Sequence, residues 1–275
     1  MKPLVALVVC ALALLASSPA RAEPPADPSE LFATGVAAIH RGAWDEAIDD
    51  FELLADRGFV HPDASFDRAV AYLGRARSKR VQPGDLGHAA AALAETLELR
   101  PGDTAAEESL TRVREEIARR RASEGAHAVT THPSLARALV GLVGEDTWSL
   151  AAALGSLLLA AGLATRRLGR APQLRLGGAL STAVGMVVLP AAGALAATAR
   201  HYRLTSEPAV VVASEARLLD SRGQPARGAR GDAPSEIPEG ASVVVLEHEG
   251  ALARVEWGTV SGWVAADRLR LLARR

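Results

Sequence analysis

The sequence has a single cysteine, Cys10, and it lies in a short apolar stretch near the N-terminus. Lys2 precedes this stretch and the small-x-small sequence Ala20-Arg21-Ala22 follows it, which is the pattern of a secretory signal peptide. The alternative is an uncleaved anchor, but the stretch is shorter than the roughly 20 apolar residues that span a bilayer. We therefore predict that residues 1–22 are a cleaved signal peptide. The mature chain would contain no cysteine, which excludes disulfides and thiol catalysis.

Signatures of catalysis and of nucleic-acid binding are missing as well. No G-x-S-x-G, P-loop, H-E-x-x-H or Rossmann glycine pattern occurs, although such patterns accompany many enzymes. We predict that the protein is not an enzyme and has no catalytic residue, no metal and no cofactor. The formal net charge is -1 and no basic face interleaved with aromatic residues is evident, so nucleic acid is not expected as a partner.

Two long uncharged runs lie in the middle of the chain. Residues 147–165 and 176–199 have no ionisable side chain and are long enough for a helix to span a bilayer. A pair of buried core helices is the alternative. The segment between them, 166–175, contains four arginines and no acid, which indicates a cytoplasmic loop under the positive-inside rule. We predict a two-pass protein of the bacterial inner membrane with both soluble domains in the periplasm.

Small residues recur at every fourth position in both runs. They are Ala152, Ser156, Ala160 and Ala164 in the first run and Gly177, Ser181 and Gly185 in the second. Small residues at this spacing let helices approach closely in lipid. We predict that they pack the two helices into a hairpin, with dimerisation of hairpins as the alternative.

Residues 29–122 have the apolar periodicity of helices. The spacing of Gly35, Ala47 and Phe51 resembles a tetratricopeptide repeat, in which small residues let paired helices approach and an aromatic ring fills the gap. A second, less regular unit extends from Phe66 to Pro101, with a predicted turn at residues 84–87. A further helix over 104–121, with Asp103 as its N-cap, completes an all-α tetratricopeptide-like domain, and residues 123–146 are predicted to link it to the membrane.

Repeats of this kind usually hold peptides or partner helices in a concave groove. By analogy with the repeat family, the residues lining the groove would be Phe32, Val36, Ile39, His40, Phe66, Val70 and Leu73. The alternative is an ordinary core position, which is the favoured interpretation for any single one of them.

Residues 206–272 change to short β-rich runs at 209–213, 242–248, 252–257 and 260–264. In the third run apolar and charged residues alternate, as in a half-buried strand. These runs, together with Gly240, Trp257, Gly262 and Trp263, resemble the bacterial SH3-like domain. In that family the glycine permits a bend and the following tryptophan caps a small barrel. The resemblance implies a small all-β SH3-like barrel with these four residues as its structural signature.

The order of the parts resembles the BatE-like membrane proteins of the Bacteroides aerotolerance (Bat) operon, which combine a signal peptide, tetratricopeptide-like repeats, a two-helix anchor and an SH3-like domain. The resemblance implies an envelope complex with von Willebrand-type Bat proteins and a MoxR-type ATPase, and a role in aerotolerance or the envelope stress response. The leading hypothesis is therefore a non-enzymatic scaffold that binds partner proteins. The alternative is a cell-wall sensor or anchor whose SH3-like domain binds peptidoglycan.

Overall fold

The structure is a computed structural model that describes residues 27–123, 125, 145–205, 207–220, 223–226 and 236–273. Within these residues the chain forms seven α-helices and seven β-strands. The chain separates into two compact units, Met1–Val60 and His61–Arg275. The predicted signal peptide and most of the predicted linker lie outside the described residues.

The first unit contains a pair of helices, α1 (Pro28–Arg41) and α2 (Trp44–Asp56). Gly42 ends α1 in the left-handed conformation, with a φ of 70°, which glycine adopts without strain. A Cβ on Gly35 would lie 2.9 Å from Cζ of Phe51. The predicted contact between a glycine of the first helix and the aromatic ring of the second is therefore present.

The helical part of the second unit consists of α3 (Pro62–Ala76), α4 (Asp85–Leu99) and α5 (Thr104–Ser123). Asp103 caps α5 as predicted, since its Oδ1 accepts a hydrogen bond of 3.1 Å from the N–H of Ala106. The turn predicted at residues 84–87 is wrong, because Gly84 is the N-cap of α4 and the next three residues form its first turn.

Two further helices, α6 (Glu145–Leu168) and α7 (Pro172–Thr205), are long and apolar enough to cross a membrane. Only 11% of the most apolar window of α6 and 17% of that of α7 is buried, unlike a core helix of a globular domain. Both helices continue into the segment predicted as a loop over 166–175, so the connection is reduced to residues 169–171.

Close backbone contact at glycines holds α6 against α7. A Cβ on Gly162 would lie 2.5 Å from the backbone nitrogen of Thr182, and one on Gly185 would lie 2.5 Å from the backbone nitrogen of Leu159. Larger side chains at these positions would force the helices apart. Small residues thus pack the hairpin, as predicted.

The contacting face of α6 differs from the predicted one. It contains Gly155 and Gly162, whereas the predicted series from Ala152 to Ala164 is mostly exposed. On α7 Ser181 donates its hydroxyl to a backbone carbonyl of α6 at 2.8 Å, but a Cβ on Gly177 would meet open space. Small residues occupy several faces of these alanine-rich helices, so spacing alone does not identify the contact.

The strands are β1 (Glu207–Val211), β2 (Glu215–Arg217), β3 (Glu236–Pro238), β4 (Ser242–Glu249), β5 (Leu252–Trp257), β6 (Val260–Ala265) and β7 (Leu269–Leu271). Five of them form an antiparallel sheet in the order β6-β5-β4-β1-β7, and β2 pairs with β3 alone. Among the described residues β6 and β7 do not pair with each other, so this sheet is open and not the closed barrel that was predicted.

Candidate functional site

Strand β1 lies between two apolar clusters. Ala209 and Val211 belong to the cluster formed by residues of the strands. Val210 and Val212 belong to the cluster formed by α3, α4 and α5, the helical cluster. Successive side chains of a strand point to opposite faces of the sheet, so β1 and the residue after it contribute to both clusters. Residues from the two predicted soluble domains therefore share one core within the second unit.

Glycines allow the first turn of α4 to touch the backbone at the end of β1. A Cβ on Gly87 would lie 2.7 Å from both Cα and O of Val212, and one on Gly84 would lie 2.6 Å from that oxygen. These atoms are backbone and cannot rotate away. The helices and the sheet thus meet at a distance that only glycine permits at positions 84 and 87. We call this contact the helix–sheet junction.

Two side-chain hydrogen bonds connect the sheet region to the helices at this junction. The Oε1 atom of Glu239 accepts a 2.6 Å bond from the N–H of Gly87, and Nη2 of Arg114 donates a 2.8 Å bond to Oγ of Ser242. The N–H groups in the first turn of a helix have no partner within the helix. Glu239 therefore acts as a cap for α4 from the other side of the junction.

The Glu239 carboxyl is itself perturbed by its position. Desolvation raises its pKa above the usual value near 4.5, although the Gly87 hydrogen bond and the nearby Arg120 act in the opposite direction. Burial disfavours the ionised form of a carboxyl, so the proton is held more tightly in the folded state than in the unfolded chain.

A cleft of about 440 Å³ opens near the C-terminal end of α4, between the helices and the sheet. The size lies in the range typical of ligand pockets, about 300 to 1,000 Å³. Residues that shape it are Leu97 and Glu98 of α4, Leu110 of α5, Pro208 of β1, Trp257 of β5 and Leu272. This cleft is the candidate functional site of the second unit.

A second cavity, of about 310 Å³, lies at the opposite, N-terminal end of α4. Its acidic residues are engaged within the protein: Asp85 accepts a 2.7 Å bond from Nη2 of Arg75, and Glu239 accepts the Gly87 N–H. Both acidic residues are thus occupied by contacts within the protein, whereas Nη1 of Arg121, which also lines the cavity, is buried without a hydrogen-bond partner in the described part of the chain.

Buried ion pairs fix α3 against α4. Arg68 and Glu95 are 3% and 6% exposed and form a 3.0 Å pair, and Oγ of Ser65 donates a 2.8 Å bond to the same carboxylate. The ring of Tyr72 stacks on that of His88 with centroids 4.8 Å apart. Sequence reasoning missed this polar stripe, although Ser65, Arg68 and Tyr72 recur every three or four residues along one face of α3.

The predicted groove residues fall in both units. Phe32, Val36 and Ile39 are half-buried and His40 is exposed in the first unit. Phe66, Val70 and Leu73 are half-buried in α3, and Phe66 and Leu73 pack against the helical cluster. A groove common to these seven residues remains a prediction.

The four residues predicted as the SH3-like signature lie in different surroundings. Trp257 is buried and borders the cleft, whereas Gly240, with a φ of 72°, lies where a Cβ would approach Cδ1 of Ile117 to 2.7 Å. A Cβ on Gly262 would overlap the side chain of Leu218. Trp263 is half-buried, and its backbone N–H and carbonyl both bond to Leu219, at 2.9 and 2.7 Å. Gly240 and Trp257 thus also contribute to the helix–sheet junction.

Comparison of the chain with protein-family models, with curated proteins and with solved structures found no match. Within the part of the chain that the structure describes, no group of three or more His, Cys, Asp or Glu side chains is placed to hold a metal ion.

Proposed function

We propose that the protein is a non-enzymatic scaffold of the bacterial envelope, anchored in the inner membrane by α6 and α7, that binds partner proteins with its soluble part. The observation that carries this proposal is the second unit, in which α3, α4 and α5 share a core with the sheet and leave a largely apolar cleft open. Clefts that combine an apolar lining with a few polar groups are typical of binding sites.

The shared core also supports a two-pass topology. The helices α3 to α5 precede the hairpin and the sheet follows it, yet Val210 and Val212 pack among the helices. Parts of a chain that pack together must lie in one compartment, which requires an even number of membrane crossings between them. Helices α6 and α7 supply two. Four arginines, at positions 166, 167, 170 and 175, surround their connection and favour a cytoplasmic turn, which would place the soluble part in the periplasm.

The sheet would then lie beside the membrane surface. Helix α7 ends at Thr205 and β1 begins at Glu207, so almost no linker separates them. The 34 residues of α7 extend about 51 Å at a rise of 1.5 Å per residue. The hydrocarbon core is roughly 30 Å thick, so part of α7 would extend beyond it. Near the same end of the hairpin, Oε2 of Glu145 and Nε of Arg203 form a 2.7 Å ion pair.

We also propose that α1 to α4 are tetratricopeptide-like repeats and that the sheet, although open, belongs to an SH3-like domain. Helices α1 to α4 form two pairs, and the contact between Gly35 and Phe51 is of the kind expected for the repeat. The order of helices, hairpin and sheet is also that of the Bat-type proteins. On this basis we propose von Willebrand-type Bat proteins as partners and a role in aerotolerance or envelope stress.

Co-purification tests the scaffold function. The tagged full chain and a tagged control containing only the hairpin, residues 145–205, would be purified from detergent-solubilised membranes. Removal of residues 29–122 is unsuitable as a control because it would expose Val210 and Val212 of the shared core. The proposal predicts envelope proteins that are retained by the full chain alone. Identical protein sets for both would contradict it.

The runner-up function is that of a cell-wall sensor or anchor. Sedimentation of the detergent-solubilised full chain with purified sacculi separates the two proposals. A scaffold without affinity for the wall stays in the supernatant, whereas enrichment in the pellet together with no retained protein partner would favour peptidoglycan binding.

A further inference from the structure

We propose that the cleft at the C-terminal end of α4 binds an extended segment of a partner protein in which an apolar side chain lies next to Lys or Arg. This inference rests on the proposed scaffold function and specifies the chemistry of the partner.

The floor of the cleft is suited to an apolar side chain. Leu97, Leu110, Pro208, Trp257 and Leu272 contribute to its lining, and the volume is about 440 Å³. Leu97 and Leu272 also pack against the helical cluster, so the floor is part of a folded core. Removal of an apolar ligand side chain from water into such a cleft favours binding.

The charged residues of the cleft determine which side chain is favoured next to the apolar one in the bound segment. Its charged lining residues are Glu98 and Glu256, and both are acidic. Glu98 is exposed in the last turn of α4, a turn that contains no basic residue. The negative end of a helix dipole and two carboxylates together attract a cation. A flanking Lys or Arg is therefore favoured over Asp or Glu.

One cation lies close to the same cleft and has a different role. Arg114 donates a 2.8 Å hydrogen bond to Ser242, which lines the cleft, and a guanidinium has five N–H donors. Arg114 itself is not one of the residues that line the cleft. The cleft thus combines an apolar floor with two acidic lining residues, which fits a peptide that has an apolar and a basic side chain better than a purely apolar ligand.

Peptide arrays probed with the full chain in detergent test this inference. The variant Glu98→Gln/Glu256→Gln removes both cleft carboxylates while keeping side-chain size. The matched control, Glu107→Gln/Glu249→Gln, removes one exposed acid from α5 and one from β4, neither of which lines the cleft. Wild type and control are expected to prefer hexapeptides with Leu or Phe beside Lys or Arg. The cleft variant should bind these about tenfold more weakly, as expected when two partly exposed carboxylates that attract the peptide cation are neutralised. Its binding of neutral apolar peptides should be unchanged.

Three results would overturn the proposal: a preference of the wild type for acidic peptides, no peptide preference at all, or equal losses in the cleft variant and the control. Thermal unfolding of each variant shows whether it folds. As a second measurement, a photoreactive group on the best-bound peptide should cross-link to residues around Leu97, Pro208 and Leu272, and cross-links confined to other surfaces would contradict the assignment.

Failure of this inference is distinguishable from failure of the scaffold function. If partner proteins co-purify equally with wild type, cleft variant and control, the cleft assignment is wrong and the scaffold stands. If no protein co-purifies with the wild type, the scaffold function is wrong, whatever the arrays show.

Discussion

Helices α4 and α6 are both rich in alanine and leucine, yet their surroundings are opposite. Twelve of the 15 residues of α4 are buried within the protein, whereas only 11% of the most apolar window of α6 is buried. A helix that is apolar on all sides belongs either in a protein core or in a membrane. We propose that α4 lies in a protein core and that α6 lies in a membrane.

The polar residues of the two helices distinguish them. Helix α4 contains Asp85 and Glu95 in buried ion pairs with α3, whereas α6 has no charged residue between Thr147 and Thr165 and contacts α7 through glycines. A protein interior accepts a charge that is paired. Lipid accepts close packing of small residues more readily than a charge.

The largest effect is expected from breaking the buried pair of α4. Arg68→Met leaves the Glu95 carboxylate buried without its cation, which should lower the free energy of unfolding by about 3–5 kcal/mol. Denaturant unfolding of the detergent-solubilised chain measures this. In the matched control, Arg112→Met, the exposed pair with Glu108 is lost and a change below about 1 kcal/mol is expected. Similar losses in the two variants would show that burial does not govern the effect.

A charge placed on α6 tests the other half of the comparison. Leu157 is 64% exposed in the structure, and Leu157→Arg should disfavour membrane insertion by about 2.5–3.5 kcal/mol if this face meets lipid. Resistance of the chain to carbonate extraction from membranes measures insertion. Leu53→Arg, at an exposed leucine of α2, is the control and should leave extraction unchanged. If Leu157→Arg resists carbonate extraction as well as the wild type does, this face of α6 meets water and not lipid.

A methyl group at Gly87 tests how closely α4 must approach the strand. Gly87→Ala should destabilise the protein by about 1–3 kcal/mol, the range for overpacking, because the new Cβ would meet the Val212 backbone. Thermal unfolding measures the loss. Gly177→Ala is the control, since a Cβ there meets open space, and equal stability of the two variants would argue against the close junction.

The cap from Glu239 should have a smaller, pH-dependent effect. Glu239→Ala leaves the Gly87 N–H without its acceptor and should cost about 1–2 kcal/mol, whereas Glu239→Gln retains an acceptor oxygen. Because the folded protein raises the pKa of this carboxyl, it binds the proton more tightly than the unfolded chain does. The stability of wild type relative to Glu239→Gln should therefore rise as the pH falls through that raised pKa. Unfolding at several pH values measures this, and a relative stability that rises with pH would contradict the assignment.

Local features of the chain were predictable from its sequence. Helical periodicity predicted α1, α2, α3 and α5, and α4 apart from its first turn, and uncharged length predicted α6 and α7. Four strands were predicted, but β2, β3 and β7 have only three residues each, too few for a period-2 pattern to be recognised. Gly84 and Gly87 suggested a turn, since glycine marks turns, whereas here one caps a helix and the other permits close contact.

The junction and its cleft could not be predicted because they depend on contacts between distant parts of the chain. The hydrogen bond between Gly87 and Glu239 joins residues 152 positions apart, and that between Arg114 and Ser242 joins residues 128 positions apart. Periodicity identifies which side chains share a face of one element. It does not identify which other element covers that face.

Single-cysteine labelling tests the central claim, that α6 and α7 cross the membrane and leave the helices and the sheet on the same side. In a Cys10→Ser background, Glu108→Cys on α5, Arg170→Cys in the hairpin turn and Asp267→Cys after β6 each place one thiol at an exposed position. A membrane-impermeant maleimide applied to intact spheroplasts should label positions 108 and 267 and spare position 170 until the membrane is permeabilised. Labelling of 108 and 267 from opposite sides, or of all three from one side, would contradict the claim.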